Sequence, residues 1–125
     1  MKLKVLLLLM AIQLAPACSS SDDADVKLLA TFAIEKGEYN KAYDLIIDEA
    51  KNGDRELQHT VALIVSNGYG PIKDKDRNEV VLEWLFKSAE QGFPDSITWL
   101  ADAYENGWFG LKKDMEAARR WRLKK

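Results

Sequence analysis

Residues 57–92, LQHTVALIVSNGYGPIKDKDRNEVVLEWLFKSAEQG, decide the fold because much of their pattern returns 39 positions later. Asn67-Gly68 returns as Asn106-Gly107, and Ala62 returns as Ala101. Upstream, Asn52-Gly53 matches Gln91-Gly92 at the same offset. A period of about 40 residues with two helices in each unit is typical of an α-solenoid. The chain is therefore predicted to be built from repeated helix pairs.

Apolar residues recur at helical spacing from Val26 onward, with no sustained alternation that would indicate strands. Six helices are predicted, over residues 25–36, 39–52, 55–67, 77–91, 95–106 and 115–124. Glycine follows five of them, where a left-handed residue closes the last turn: Gly37, Gly53, Gly68, Gly92 and Gly107. Asp76 with Glu79 predicts a capping box, and Asp114 predicts a second N-cap. The predicted fold class is all-α, a short right-handed α-solenoid.

Residues 1–17 have the composition of a signal peptide. Lys2 and Lys4 precede an apolar run from Val5 to Leu14, and small alanines follow it. A run of about ten residues is roughly half of what a bilayer-spanning helix needs. We expect this leader to direct export and to be removed.

Cys18 is the only cysteine in the chain and follows Leu14-Ala15-Pro16-Ala17. This stretch resembles a bacterial lipobox, in which the cysteine becomes the acylated first residue. The alternative is an ordinary signal peptide with a chance cysteine. Ser19 resembles the outer-membrane class of lipoproteins, which lacks an Asp at that position. We therefore predict lipidation at Cys18, a flexible tether over residues 18–25, a folded domain over 26–125, and anchoring at the outer membrane facing the periplasm.

Charge is unevenly distributed. Residues 22–110 hold 18 acidic and 9 basic residues, whereas residues 111–125 hold 7 basic and 2 acidic. A basic end can attract anionic lipid or nucleic acid. It also complements the dipole of its own helix, and no nucleic-acid-binding motif accompanies it. Nucleic acid is therefore not an expected partner.

The repeated motifs resemble the Sel1-like repeat, a relative of the tetratricopeptide repeat. One copy runs from Leu57 to Gly92 and a second from Ser96 to Lys125, and residues 43–53 match the second helix of an earlier half copy. The resemblance covers roughly residues 40–125. It implies about two and a half helix-pair repeats and a role in binding other proteins.

No catalytic, metal or cofactor site is expected. His59 is the only histidine and has no neighbouring ligand or nucleophile in the sequence. It falls where the Sel1-like repeat often places an aromatic residue. Gly68-Tyr69-Gly70-Pro71 lacks the Lys and Ser/Thr of a phosphate loop. No pair of carboxylates stands out from a solvated helix face, and no small-molecule substrate is expected.

A partner-binding surface is predicted on the fifth helix. Trp99 lies about 200° around that helix from the apolar Ile97, and tryptophan is enriched at binding hot spots. The residues predicted to share this surface are Thr98, Trp99, Asp102, Glu105 and Trp108. The alternative is that Trp99 packs against a neighbouring helix. At the C-terminus, Ala118, Trp121 and Leu123 either form an exposed apolar end or turn inward.

The predicted function is a non-catalytic protein–protein interaction module anchored to the envelope. Small lipid-anchored Sel1-like proteins resemble immunity proteins that neutralise antibacterial lipase effectors. The alternative is a scaffold lipoprotein for envelope or polysaccharide-export assembly. A hydrolase, known from the cysteine-rich branch of the family, is disfavoured because no nucleophile–base arrangement is visible.

Overall fold

The computed structural model describes residues 19–124, and all regular structure in that range is helical. Two short 3₁₀ turns, Asp74–Asp76 and Trp108–Gly110, connect longer helices. The six α-helices are α1 (Ser19–Glu35), α2 (Tyr39–Lys51), α3 (Arg55–Ser66), α4 (Arg77–Glu90), α5 (Pro94–Asn106) and α6 (Met115–Arg122). The all-α prediction is confirmed, and the bounds of α2 to α6 differ from those predicted by one or two residues.

The first helix begins earlier than predicted. Residues 19–25, interpreted from the sequence as a flexible tether, belong to α1, while Cys18 lies outside the described residues. This segment has no apolar periodicity, which is why sequence reasoning missed it. Its composition suits a helix start, because the acidic Asp22 lies in the first turn and complements the helix dipole. Within residues 19–124, no helix is both long and apolar enough to cross a bilayer.

Each helix packs against the next one along the chain, around a core that runs through the molecule. Ile46, Val61, Leu85 and Leu100 are completely buried and lie on four successive helices. The alanines that recur at the repeat offset are also completely buried: Ala50, Ala62, Ala89 and Ala101. Small side chains at these positions allow two helices to approach closely.

The sequence repeat is matched by repeated backbone geometry. The side chain of Asn67 donates to the carbonyl of Leu63 at 2.8 Å, and that of Asn106 donates to the carbonyl of Asp102 at 2.9 Å. These hydrogen bonds lie 39 residues apart and close the equivalent ends of α3 and α5. All five glycines predicted to be left-handed have positive φ.

The predicted helix caps gave mixed results. Asp114 accepts a hydrogen bond from the Ala117 amide at 3.0 Å, as predicted. The capping box at Asp76 was wrong, because that side chain makes no capping hydrogen bond. The preceding 3₁₀ turn runs directly into α4, which leaves Asp76 in a helical conformation and not in the extended conformation of an N-cap.

Candidate partner-binding surface

The candidate surface is built on α5 and the turn that follows it. Pro94 occupies the start of α5, where its missing amide hydrogen is not needed. The helix ends at Gly107, which adopts a left-handed conformation with φ 71°. A β-carbon on Gly107 would lie 3.2 Å from the carbonyl oxygen of Leu111, so the chain must turn tightly here. The turn presents two aromatic residues, Trp108 and Phe109.

Phe109 has φ 55°, and it is the one non-glycine residue with positive φ in the described part of the chain. For a bulky side chain this conformation is strained. The Phe109 ring packs edge-on against Trp99, with ring centroids 5.7 Å apart. Trp108, immediately before it, remains 43% exposed. The strained turn thus directs one aromatic ring inward and leaves the other in solvent.

Trp99 does not point freely away from the core, as its angular position suggested. Its side chain is half-buried and contacts the His59 ring of α3, with centroids 5.5 Å apart. Trp99 therefore joins α5 to α3 and supports Phe109 from below. This arrangement agrees with the alternative weighed from the sequence, in which Trp99 packs against a neighbouring helix.

Asp102 and Glu105 face α6. The guanidinium of Arg122 donates to Asp102 Oδ1 at 2.8 Å and also to a Glu105 carboxylate oxygen. The hydrogen bond from Glu105, followed by that from Asp102, raises the pKa of Arg122. Thr98 is exposed one turn before Asp102. The five predicted residues thus divide into an aromatic edge, Trp99 with Trp108, and a polar edge, Thr98 with the two carboxylates.

A buried polar chain lies behind the aromatic edge. His59 Nδ1 is 2.7 Å from Ser96 Oγ, Ser96 Oγ is 2.7 Å from Ser88 Oγ, and Ser88 Oγ is 2.7 Å from the carbonyl oxygen of Arg55. The carbonyl can only accept, so three contacts need three hydrogens. The two hydroxyls supply two of them, and His59 Nδ1 must supply the third.

That direction bears on the chemistry of the pair. A histidine that activates a serine must accept the hydroxyl hydrogen, whereas His59 donates to Ser96. Ser96 is also completely buried. Burial lowers the pKa of His59, with a small opposing effect of Asp95. The arrangement therefore holds a neutral imidazole as a hydrogen-bond donor and joins α3, α4 and α5.

Sequence reasoning missed a second exposed aromatic residue. Tyr69 is 37% exposed and lies 39 residues before Trp108, at the equivalent position of the preceding repeat. Its ring stacks on Tyr39 with centroids 4.6 Å apart. The two tyrosines line a groove of about 290 Å³ with Ile34, Leu63 and Asn67. The repeat offset itself was the signal that could have identified Tyr69.

The C-terminal residues divide between the two outcomes considered from the sequence. Ala118 is completely buried, and Trp121 turns inward onto Phe86, with ring centroids 5.9 Å apart. Leu123 is 73% exposed. The apolar end is therefore reduced to a single large side chain among basic residues.

Within residues 19–124, no three His, Asp or Glu side chains are grouped so that they could hold a metal ion. No protein family, curated protein or solved structure matches this chain. Functional inference therefore rests on the residues themselves.

Proposed function

We propose that this chain is a short α-solenoid of Sel1-like helix pairs that binds another protein through the turn after α5. The solenoid arrangement is supported by the matched hydrogen bonds of Asn67 and Asn106 and by the buried alanines at the repeat offset. The same repeat places the exposed Tyr69 and Trp108 at equivalent positions. Repeated exposed aromatics on a stack of helix pairs are typical of a binding surface.

The observation that carries the proposal is the conformation of Phe109. A left-handed phenylalanine lowers stability, and strain of this kind concentrates at functional sites. Here it keeps Trp108 in solvent while Phe109 fills the space beside Trp99. Rigid support beneath an exposed tryptophan reduces the entropy lost on binding. The proposed anchor for the partner is therefore Trp108.

The proposed role is non-catalytic. The buried Ser96 and the donor role of His59 support this, as does the use of Asp102 and Glu105 in an ion pair with Arg122. Among non-catalytic roles we favour an immunity-type inhibitor of an envelope-directed effector. The support is the small folded region, which offers one supported aromatic surface and little length for assembling several partners.

The proposed location is the outer membrane, with acyl chains on Cys18. The support is the sequence of residues 1–18, because that part of the chain lies outside the described residues. Metabolic labelling with a palmitate analogue tests it. Labelled unsubstituted chain with an unlabelled Cys18→Ser variant is the expected result, and equal labelling of both would contradict lipidation at Cys18.

The partner-binding test uses full-length chain in detergent-solubilised envelope. A stoichiometric partner is captured and purified, and its affinity is measured by calorimetry for the unsubstituted chain, Trp108→Ala and Leu123→Ala. Leu123 is the matched control because it is large, apolar and 73% exposed on another helix. Trp108→Ala should weaken binding about 30-fold, as for a hot-spot residue worth about 2 kcal/mol.

Equal affinity of all three proteins would remove Trp108 from the interface and overturn the proposed site. The inhibitor role is tested with the purified partner. If the partner is an enzyme, one equivalent of this chain should abolish its activity. A partner from a polymer-export assembly would favour the scaffold alternative.

A further inference from the structure

One face of α1 is unlike the rest of the exposed surface. Leu29 is 53% exposed and Phe32 is 51% exposed, although both are large and apolar. They border a groove of about 580 Å³ that also includes Lys36, Lys41 and Leu45. The opposite side of α1 is held to the core, because Lys27 forms salt bridges with Asp54 at 3.1 Å and Glu56 at 3.0 Å.

The exposed face continues along the helix as a regular stripe. Its members follow one another at alternating spacings of three and four residues, and all are exposed: Asp22, Asp25, Leu29, Phe32 and Lys36. At about 100° per residue they fall within one narrow arc. This spacing is that of a helix–helix contact seam. The stripe is acidic at its start, apolar in its centre and basic at its end.

Such a stripe is complementary to itself in one orientation. An antiparallel copy brings the acidic end of each helix to the basic end of the other and joins the two apolar centres. A parallel copy opposes like charges at both ends. Residues 22 and 36 are equidistant from residue 29, so the antiparallel match centres on Leu29.

The two ends of the molecule support the same occupant. In α4, Leu82 and Phe86 pack against the following helices, and the positions 37 residues later in α6 carry Arg119 and Leu123. The C-terminal end thus replaces one apolar contact with a charge, whereas the α1 face keeps its apolar centre exposed. A head-to-tail stack is therefore disfavoured. An anionic bilayer is disfavoured because Asp22 and Asp25 lie in the stripe.

We propose that two copies of this chain associate through an antiparallel pair of α1 helices. Leu29 lies near the twofold axis, and Asp22 of each copy faces Lys36 of the other. Closed twofold pairs of this kind are the commonest homo-oligomers. The inference depends on neither the proposed protein partner nor the proposed lipidation.

The first test is oxidative crosslinking of full-length chain in membranes, read on a non-reducing gel. Leu29→Cys should give a disulfide-linked dimer, because the two residues meet near the axis. Leu28→Cys is the matched control, since Leu28 is 55% exposed but points about 100° away. The unsubstituted chain measures any contribution of Cys18. Equal crosslinking of the two variants would overturn the proposed orientation.

The second test exchanges charges and measures dimerisation by sedimentation equilibrium in density-matched detergent. Asp22→Lys and Lys36→Asp should each raise the dissociation constant about tenfold, because two ion pairs become two repulsions. The double variant should restore the affinity to about that of the unsubstituted chain, and circular dichroism checks its folding. A monomeric unsubstituted chain, or a double variant weaker than both single variants, would overturn the proposal.

Discussion

The imidazole Nδ1 of His59 and the buried hydroxyl of Ser96 lie 2.7 Å apart, and the imidazole is the donor. The His59 ring also lies between Phe93 and Trp99, with ring centroids at 5.2 and 5.5 Å. One side chain thus completes a buried polar chain and fills an aromatic layer between two helix pairs. Its protonation state is consequently tied to folding.

The first prediction concerns pH. Burial lowers the pKa of His59 below its ordinary value of 6.5, so the unfolded chain binds the proton more tightly than the folded one. The stabilisation by neutral His59 is complete above pH 6.5 and is lost as the pH falls through the lower folded pKa. Urea denaturation between pH 8 and pH 5 should show this decline.

His59→Asn is the matched variant, because its amide can replace the Nδ1 donor without titrating. It should show a weaker decline over the same range. His59 is the only histidine in the chain, so no other imidazole contributes. An identical decline in both proteins would show that carboxylates, and not His59, cause the pH dependence.

The second prediction concerns the strained turn. Phe109→Gly and Phe109→Ala both remove the ring that packs on Trp99, so the difference between them isolates the backbone. Because φ is 55°, the glycine variant should be more stable than the alanine variant by about 1 kcal/mol. Thermal denaturation of the two variants side by side measures this difference. A more stable alanine variant would contradict the left-handed conformation.

The third prediction compares two left-handed glycines. A β-carbon on Gly70 would lie 3.1 Å from Cδ2 of the buried Tyr43, whereas one on Gly68 would meet nothing within 4 Å. Gly68→Ala should cost about 1 kcal/mol through the backbone alone. Gly70→Ala should cost about 2 kcal/mol because overpacking is added. Equal losses in chemical denaturation would mean that Tyr43 moves aside freely.

The fourth prediction concerns Arg77, whose guanidinium holds the loop between α3 and α4. It donates to the carbonyl oxygens of Val65 at 3.0 Å, Tyr69 at 3.1 Å and Ile72 at 2.9 Å. A lysine cannot reproduce this planar set of donors. Arg77→Lys should therefore lower the free energy of unfolding by about 1–3 kcal/mol.

Arg119→Lys is the control for Arg77. Arg119 pairs only at the surface, with Glu116, and its replacement should change stability by less than about 0.5 kcal/mol. Both are measured by urea denaturation at neutral pH. Similar small effects of the two substitutions would show that the Arg77 hydrogen bonds do not stabilise the loop.

Local signals in the sequence predicted most of the fold. Helical spacing and terminal glycines located α2 to α6, because both depend on residues near one another in the chain. The start of α1 was missed because its first residues carry no apolar periodicity. The conformation of Phe109 was also missed, since the glycine of the preceding repeat gives no warning that a phenylalanine adopts the same handedness.

The candidate surface was predicted less well because its geometry depends on contacts between distant residues. Periodicity placed Trp99 on the outer side of α5 but could not show that His59 packs against it. The carboxylates of Asp102 and Glu105 were identified as exposed, yet their pairing with Arg122 depends on how α6 returns along α5. A helical wheel gives direction and not occupancy.

The start of α1 at Ser19 leaves a single peptide bond between the helix and Cys18. Proteases cut extended segments of several residues, and loops or unstructured ends usually provide them. A chain anchored through Cys18 would offer no such segment ahead of α1. Shedding of the folded part from the membrane would then require the first turns of α1 to open. The rate of release would therefore follow the local opening equilibrium of that helix and not the amount of protease.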